Sequence, residues 1–259
     1  MLFASDLDRT LIYSKRAVEP TRKDIECVET YYNKPLSFML PSVMSRLKNL
    51  PKNITFVPTT TRSARQFARL HYFSQFDYSI IDNGGTILYK GEPLKEWENL
   101  TNKFISESPY SLETICELLN DSHRSKLGKK ATVVDGKFIY TVVDNNLTEI
   151  QQFLEWYLDK DYWYYSLYYN KLYIFPKCVE KSLAVKYLKQ RLGETFTICS
   201  GDGDLDINML LSADVAITPK HGRVWRKYNV LHADTIVVPE GIIASEHIID
   251  SVYALKSRY

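Results

Sequence analysis

Leu2-Phe3-Ala4-Ser5-Asp6-Leu7-Asp8-Arg9-Thr10 decides how the rest of this chain is read. A short apolar run leads straight into two acids, the pattern of a buried strand that delivers carboxylates at its C-terminal end. In extended backbone, residues two apart project to the same side, which places Asp6 and Asp8 ~6–7 Å apart. Three later segments repeat the arrangement. Residues 54–57 are mostly apolar and run into Pro58-Thr59-Thr60-Thr61-Arg62, residues 78–81 into Asp82-Asn83-Gly84-Gly85, and residues 196–199 into Ser200-Gly201-Asp202. Helical patterns over 42–50, 64–72, 182–192 and 207–212 separate these runs, with a further strand expected at 215–217.

This alternation predicts an α/β fold, a Rossmann-like three-layer core around a parallel sheet. The middle third breaks the pattern. Strands are expected at 86–89, 131–134, 138–143, 162–168 and 171–175, with helices near 111–120 and 147–158, which predicts an inserted α+β domain with an antiparallel sheet. An early hairpin is also expected, from 24–32 across Asn33-Lys34-Pro35 to 36–39. The domain reading is therefore a discontinuous core, 1–85 plus 176–259, carrying an insert at 86–175.

Composition narrows the function classes. The 259 residues are 45% hydrophobic and 25% charged, enough apolar material to offset the entropy of ordering. No stretch approaches the ~20 apolar residues of a bilayer-crossing helix, so no membrane association is expected. The start of the chain shows no secretory pattern, and Cys27, Cys116, Cys178 and Cys199 have no zinc spacing, so a cytoplasmic protein with reduced thiols is expected. Thirty-three basic against 31 acidic side chains give +2, without the clustered bias of a nucleic-acid binder. The short basic stretch from Arg124 to Lys130 reads as a solvated loop.

In an open parallel sheet, ligands bind outside the carboxyl ends of the strands. Asp6/Asp8, Thr60, Asn83 and Asp202/Asp206 therefore converge on one site from four distant segments. Asp202 and Asp206, four apart across a loop-to-helix junction, share a face. Carboxylates crowded in this way repel one another unless a cation joins them, and oxygen-only ligands favour Mg²⁺ over zinc. Taken singly, each feature has a plainer explanation. The Asp-x-Asp pair and GDGD suit turns, Thr60 suits a helix N-cap, and Lys181 suits a solvated helix start. Their ordered occurrence at strand and helix boundaries is what favours a site.

The same residues resemble the haloacid dehalogenase-like (HAD) phosphohydrolases. FASDLDRTLIYS resembles the first motif of that family at Asp6, Asp8 and Thr10, and FVPTTTRS the second at Thr60. EKSLAVKYLKQRLG is similar to the third at Lys181, and SGDGDLDINML to the fourth at Asp202 and Asp206. The insert occupies the type-II cap position and resembles the Cof-type or sucrose-phosphatase-like branch; DNGG at 82–85 is similar to the segment preceding that cap.

The resemblance implies a Mg²⁺-dependent phosphatase acting on a small phosphoester. Asp6 would be the nucleophile and Asp8 the acid and base. Thr60, Thr61, Lys181 and Arg9 would hold phosphoryl oxygens, Thr59 or Thr61 being alternatives to Thr60. Asp6, the Asp8 carbonyl, Asp202 and Asp206 would hold the metal, with Asn83 and Gly84 near the substrate. Asp8 has to be protonated for the first step, so it is expected in surroundings that raise its pKa. Arg9 and Thr61 stand where the family often has Gly, and Leu205 where it often has Asn. Arg9 reads either as a contact to a second anionic group or as a surface arginine. The tyrosines of 161–173 suit either a sugar phosphate or ordinary strand packing, and a nucleotide fits equally. A phosphomutase or phosphotransferase of this fold, or a non-catalytic phosphometabolite-binding protein, remain alternatives.

Overall fold

The computed structural model describes residues 1–19, 22–123, 127–144, 147–228 and 234–256. Residues 124–126 of the basic stretch lie outside them. The chain divides into two compact units, Met1–Pro93 with Lys181–Tyr259, and Leu94–Glu180.

In the first unit, strand Leu2–Ser5 is buried along its whole length, as the apolar run requires. It pairs in parallel with Thr55–Pro58 on one side and Thr197–Ser200 on the other. Val215–Pro219 and then Thr235–Val238 extend the sheet, also in parallel. Beyond Thr55–Pro58, a parallel bridge from Thr59 to Ile80 brings in strand Tyr78–Ile81. One face carries Phe3, Phe56, Ile198 and Ile217. They share a core with Val43 and Leu47 of helix Pro41–Lys48 and with Ile248, Ile249 and Val252 of helix Ala244–Leu255. The alternate residues Leu2, Ala4, Cys199 and Ala216 are equally buried. Helix Lys181–Arg191 packs on Ile207–Leu211, which lies against the strands Thr197–Ser200 and Val215–Pro219. A sheet buried on both faces is the three-layer α/β arrangement.

Local chemistry sets the boundaries. Ser63 and Gln66 form a reciprocal capping box, which starts helix Ala64–Phe67. The single helix expected over 64–72 does not form: Leu70 leaves helical backbone, and a 3₁₀ turn follows at His71–Gln75. Phe67, Leu70 and Phe73 repeat every third residue and all enter the core, a spacing that a 3₁₀ turn buries better than an α-helix. The early hairpin forms between Glu26–Tyr31 and Lys34–Met39, with register shifts on either side of Glu29.

The second unit has a four-stranded antiparallel sheet in the order Trp163–Tyr168, Lys171–Pro176, Phe138–Val142, Thr132–Val134. Helices Lys95–Ser106, Leu112–His123 and Leu147–Tyr157 belong to it; the first was not anticipated from sequence. Its core is its own, built from Ile115, Leu119, Ile139, Ile150, Leu154, Trp163, Leu172 and Ile174. The unit break falls at Pro93/Leu94, later than the expected 85/86, because Thr86–Tyr89 pairs back onto Tyr78–Ile81. At the other end it falls at Glu180/Lys181, where 175/176 was expected. Among the described residues, no helix is long and apolar enough to cross a membrane.

Candidate active site

Asp6 directly follows strand Leu2–Ser5, and its amide donates to Ser200 O at 2.8 Å, so the sheet's hydrogen bonding continues into the acid. Asp202 and Asp206 follow the neighbouring strand Thr197–Ser200. Asp6, Asp202 and Asp206 are all buried, and each offers an oxygen within 4.8 Å of the others. Lys181, the first residue of its helix, is 1% exposed. Its ammonium donates to Asp6 Oδ1 at 2.7 Å and to Asp206 Oδ1 at 2.6 Å. The other Asp206 oxygen accepts from the amides of Asp202 (3.1 Å) and Gly203 (2.9 Å), so this carboxylate organises the loop that presents Asp202. Glycine is required just before: a Cβ at position 201 would stand 2.6 Å from Asp206 Cβ.

Electrostatics follow from burial. Asp6 is held well above the usual carboxylate range by loss of water and by Asp206; Lys181 opposes this. Burial and the charge of Asp206 push Asp202 up to about 7, against the pull of Arg9. Burial alone would lower the Lys181 pKa, but Asp206 and Asp6 outweigh it and hold the ammonium charged. The crowded carboxyls thus favour taking up positive charge, as protons or as a cation. An all-oxygen donor set of this kind suits a hard divalent cation. Asp6, Asp202 and Asp206 are the side chains placed to hold one, and Asp206 is the most heavily engaged of the three, accepting from Lys181 and from two amides.

The loop after Asp6 turns tightly, with the amides of Thr10, Leu11 and Ile12 all donating to Leu7 O. Thr10 Oγ1 donates to Asp6 Oδ2 at 3.2 Å. Arg9 sits at φ 64, and its Nε donates to Asp202 Oδ2 at 3.1 Å. His221 lies beyond the end of strand Val215–Pro219. Its Nε2 donates to Arg9 O at 2.8 Å while Nδ1 accepts the Gly241 amide, which defines a neutral ring. Burial lowers the His221 pKa in the same sense.

Asp8 differs from expectation. Its side chain is 53% exposed and both oxygens accept from Arg62, at 2.7 and 2.8 Å, so desolvation, one of the two influences expected to act on it, is absent. Arg62 is anchored in turn: Nη1 lies 2.9 Å from Glu29 Oε1, and Glu29 also takes Arg69 and the Ser37 hydroxyl. Burial would raise the Glu29 pKa, but these hydrogen bonds outweigh it and lower it. The irregular register of the hairpin aims Glu29 inward.

The three threonines are distinguished by their bonds. Thr59 donates its hydroxyl to Val57 O and Thr61 donates to Asn83 Oδ1. Thr60 Oγ1 accepts the Arg62 amide, which leaves the hydroxyl hydrogen to donate. Asn83 also donates its amide to Thr60 O, and Asp82, Asn83 and Gly84 all have positive φ. Asn83 and Gly84 therefore belong to a turn that shapes the threonine loop.

Sequence reasoning passed over Arg62, Glu29 and His221. Arg62 lies inside the quoted PTTTR segment, and His221 just past a strand end, so position signalled both. Nothing in the sequence around Glu29 marks it.

No protein-family model matches the chain, and no curated protein matches it in sequence. Solved structures do match. The sucrose-phosphatase of Synechocystis sp. PCC6803, in complex with sucrose and phosphate, shares 16% identity over 99% of this chain and 97% of its own, with a TM-score of 0.71. A subclass IIB sugar phosphatase of the HAD superfamily shares 15% over 99% and 98%, at 0.62. A HAD-superfamily phosphatase from Bacteroides thetaiotaomicron shares 14% over 99% and 94%, at 0.58. The chain thus has the α/β fold of HAD-superfamily phosphatases. These neighbours meet the resemblance to the Cof-type and sucrose-phosphatase-like branch that the motifs carry. At such identities the likeness is one of fold.

Proposed function

We propose that this protein is a Mg²⁺-dependent phosphatase of a small phosphorylated metabolite, working through an aspartyl phosphate on Asp6. The observation that carries the reading is the buried cluster in which Lys181 bridges Asp6 and Asp206 beside Asp202. A lysine and three carboxylates sequestered together are costly to fold around and serve stability poorly. They do serve attack on a phosphate dianion, where charge has to be balanced at the reacting centre.

Asp6, Asp202 and the backbone carbonyl of Asp8 would hold the Mg²⁺, with Asp206 behind them through Lys181. When bound, the cation supplies positive charge that lowers the repulsion between nucleophile and substrate. Lys181 and the Thr60 hydroxyl bind phosphoryl oxygens, with Thr61 and Arg9 at the edge of the same site. Asp6 attacks phosphorus, and the leaving oxygen takes a proton from Asp8. Water then attacks the aspartyl phosphate while Asp8 removes its proton. Because Asp8 is ion-paired to Arg62, it takes up the proton it donates as it leaves that partner. The insert Leu94–Glu180 acts as the type-II cap. A sugar phosphate is favoured as substrate because sugar phosphatases are among the structures of like fold.

The test is phosphate release from p-nitrophenyl phosphate and a panel of sugar phosphates. We expect activity that requires Mg²⁺ and falls at least a thousandfold in Asp6→Asn, the scale of losing a covalent nucleophile. No release from any member of the panel, or full activity in Asp6→Asn, overturns the reading.

A further inference from the structure

Arg9 occupies left-handed backbone at φ 64, a region that disfavours any residue with a Cβ and that glycine enters freely. The turn is held there on both sides, by the Arg9 amide donating to Ile12 O at 2.7 Å and by His221 donating to the Arg9 carbonyl. A strained residue retained at such a place calls for something that its side chain supplies. That side chain reaches the acidic cluster, with Nε 3.1 Å from Asp202 Oδ2, and it remains 45% exposed. Lys181 is committed to Asp6 and Asp206, so Arg9 is the cation on the third acid.

Charge balance then gives Arg9 a particular role. With all three carboxylates ionised and no metal, Lys181 and Arg9 together leave a net charge of −1. With a divalent cation, that ion and Lys181 alone balance the cluster, and the guanidinium becomes surplus at the oxygen the cation needs. We propose that Arg9 is a built-in counter-ion that competes with the divalent cation for Asp202 and so sets cation affinity below what the carboxylates alone would give. The proposal rests on the metal reading of the same site. It makes Arg9 a tuning residue, with a measurable consequence apart from turnover.

The experiment is calorimetric titration of Mn²⁺ into the metal-stripped full chain, for wild type, Arg9→Gln and Arg9→Gly. Gln removes the charge at the same strained backbone, whereas Gly also relaxes the strain. We expect Mn²⁺ to bind more tightly to both variants than to wild type, by roughly two- to fivefold, the scale of removing one partly exposed ion-pair partner. Thermal melts should show a larger rise in Tm on adding Mn²⁺ to either variant. Equal or weaker binding in the variants overturns the proposal and leaves the metal reading standing. Tightening in Arg9→Gly alone also overturns it, because strain and not charge would then be the cause. Absence of Mn²⁺ binding in all three chains overturns the metal reading, and this proposal with it.

Discussion

Asp202 shows what the folded chain does to a single carboxyl. Its pKa stands at about 7 in the folded state against 3.8 as an ordinary aspartate, because burial and Asp206 both disfavour its charge. A group raised in this way contributes stability that is complete below the unfolded value and is lost as pH rises through the folded one. The metal-free protein should therefore lose stability between about pH 4 and pH 7 relative to Asp202→Asn, by at most ~1.4 kcal/mol per pH unit. Urea unfolding in chelator at several pH values measures the difference; equal slopes in the two chains would contradict it. Residues of this kind were legible in the sequence because each stands at a strand end in a short recognisable segment. Arg62, Glu29 and His221 were not, because their partners are remote: Arg62 meets Asp8 across 54 positions and His221 meets Arg9 across 212. No local pattern encodes such a meeting.

Among the elements, the loop from Ser200 to Asp206 bears most directly on the site. It bends sharply enough for Asp206 to accept the amides of Asp202 and Gly203, and Gly201 makes that possible by leaving the space of a Cβ empty. Gly201→Ala should cost about 1–3 kcal/mol, the usual range for overpacking, and should lower phosphate release by displacing Asp206 from Lys181. Denaturant unfolding alongside the phosphatase assay checks both, and a stable, fully active variant would refute the argument. Strands and their order of appearance followed from apolar runs and turn residues. Where expectation failed, as at 64–72, the core decided: burying Phe67, Leu70 and Phe73 outweighed the helical pattern. Helix Lys95–Ser106 escaped notice because Trp97 and Thr101 are its buried residues, too sparse an apolar stripe to stand out.

For the molecule as a whole, the parallel sheet gathers segments up to two hundred residues apart, while Leu94–Glu180 encloses a core of its own. That stretch has the size and the contiguous apolar cluster of an independent domain. Expressed alone, Leu94–Glu180 should fold and melt in one cooperative transition, followed by circular dichroism; a non-cooperative melt would show that its core is insufficient. The sequence by itself determined the α/β core, the insert and the four segments that carry acids, threonine and lysine, because apolar periodicity and strand-end chemistry are local properties. Only the tertiary structure decided how those groups divide their bonds. Lys181 is shared between Asp6 and Asp206, Asp8 is held by Arg62, and Arg9 lies on Asp202. The reason is physical: a buried charge settles on whichever opposite charge the packed chain brings within about 3 Å, and that neighbour is fixed by the fold, not by the spacing along the chain.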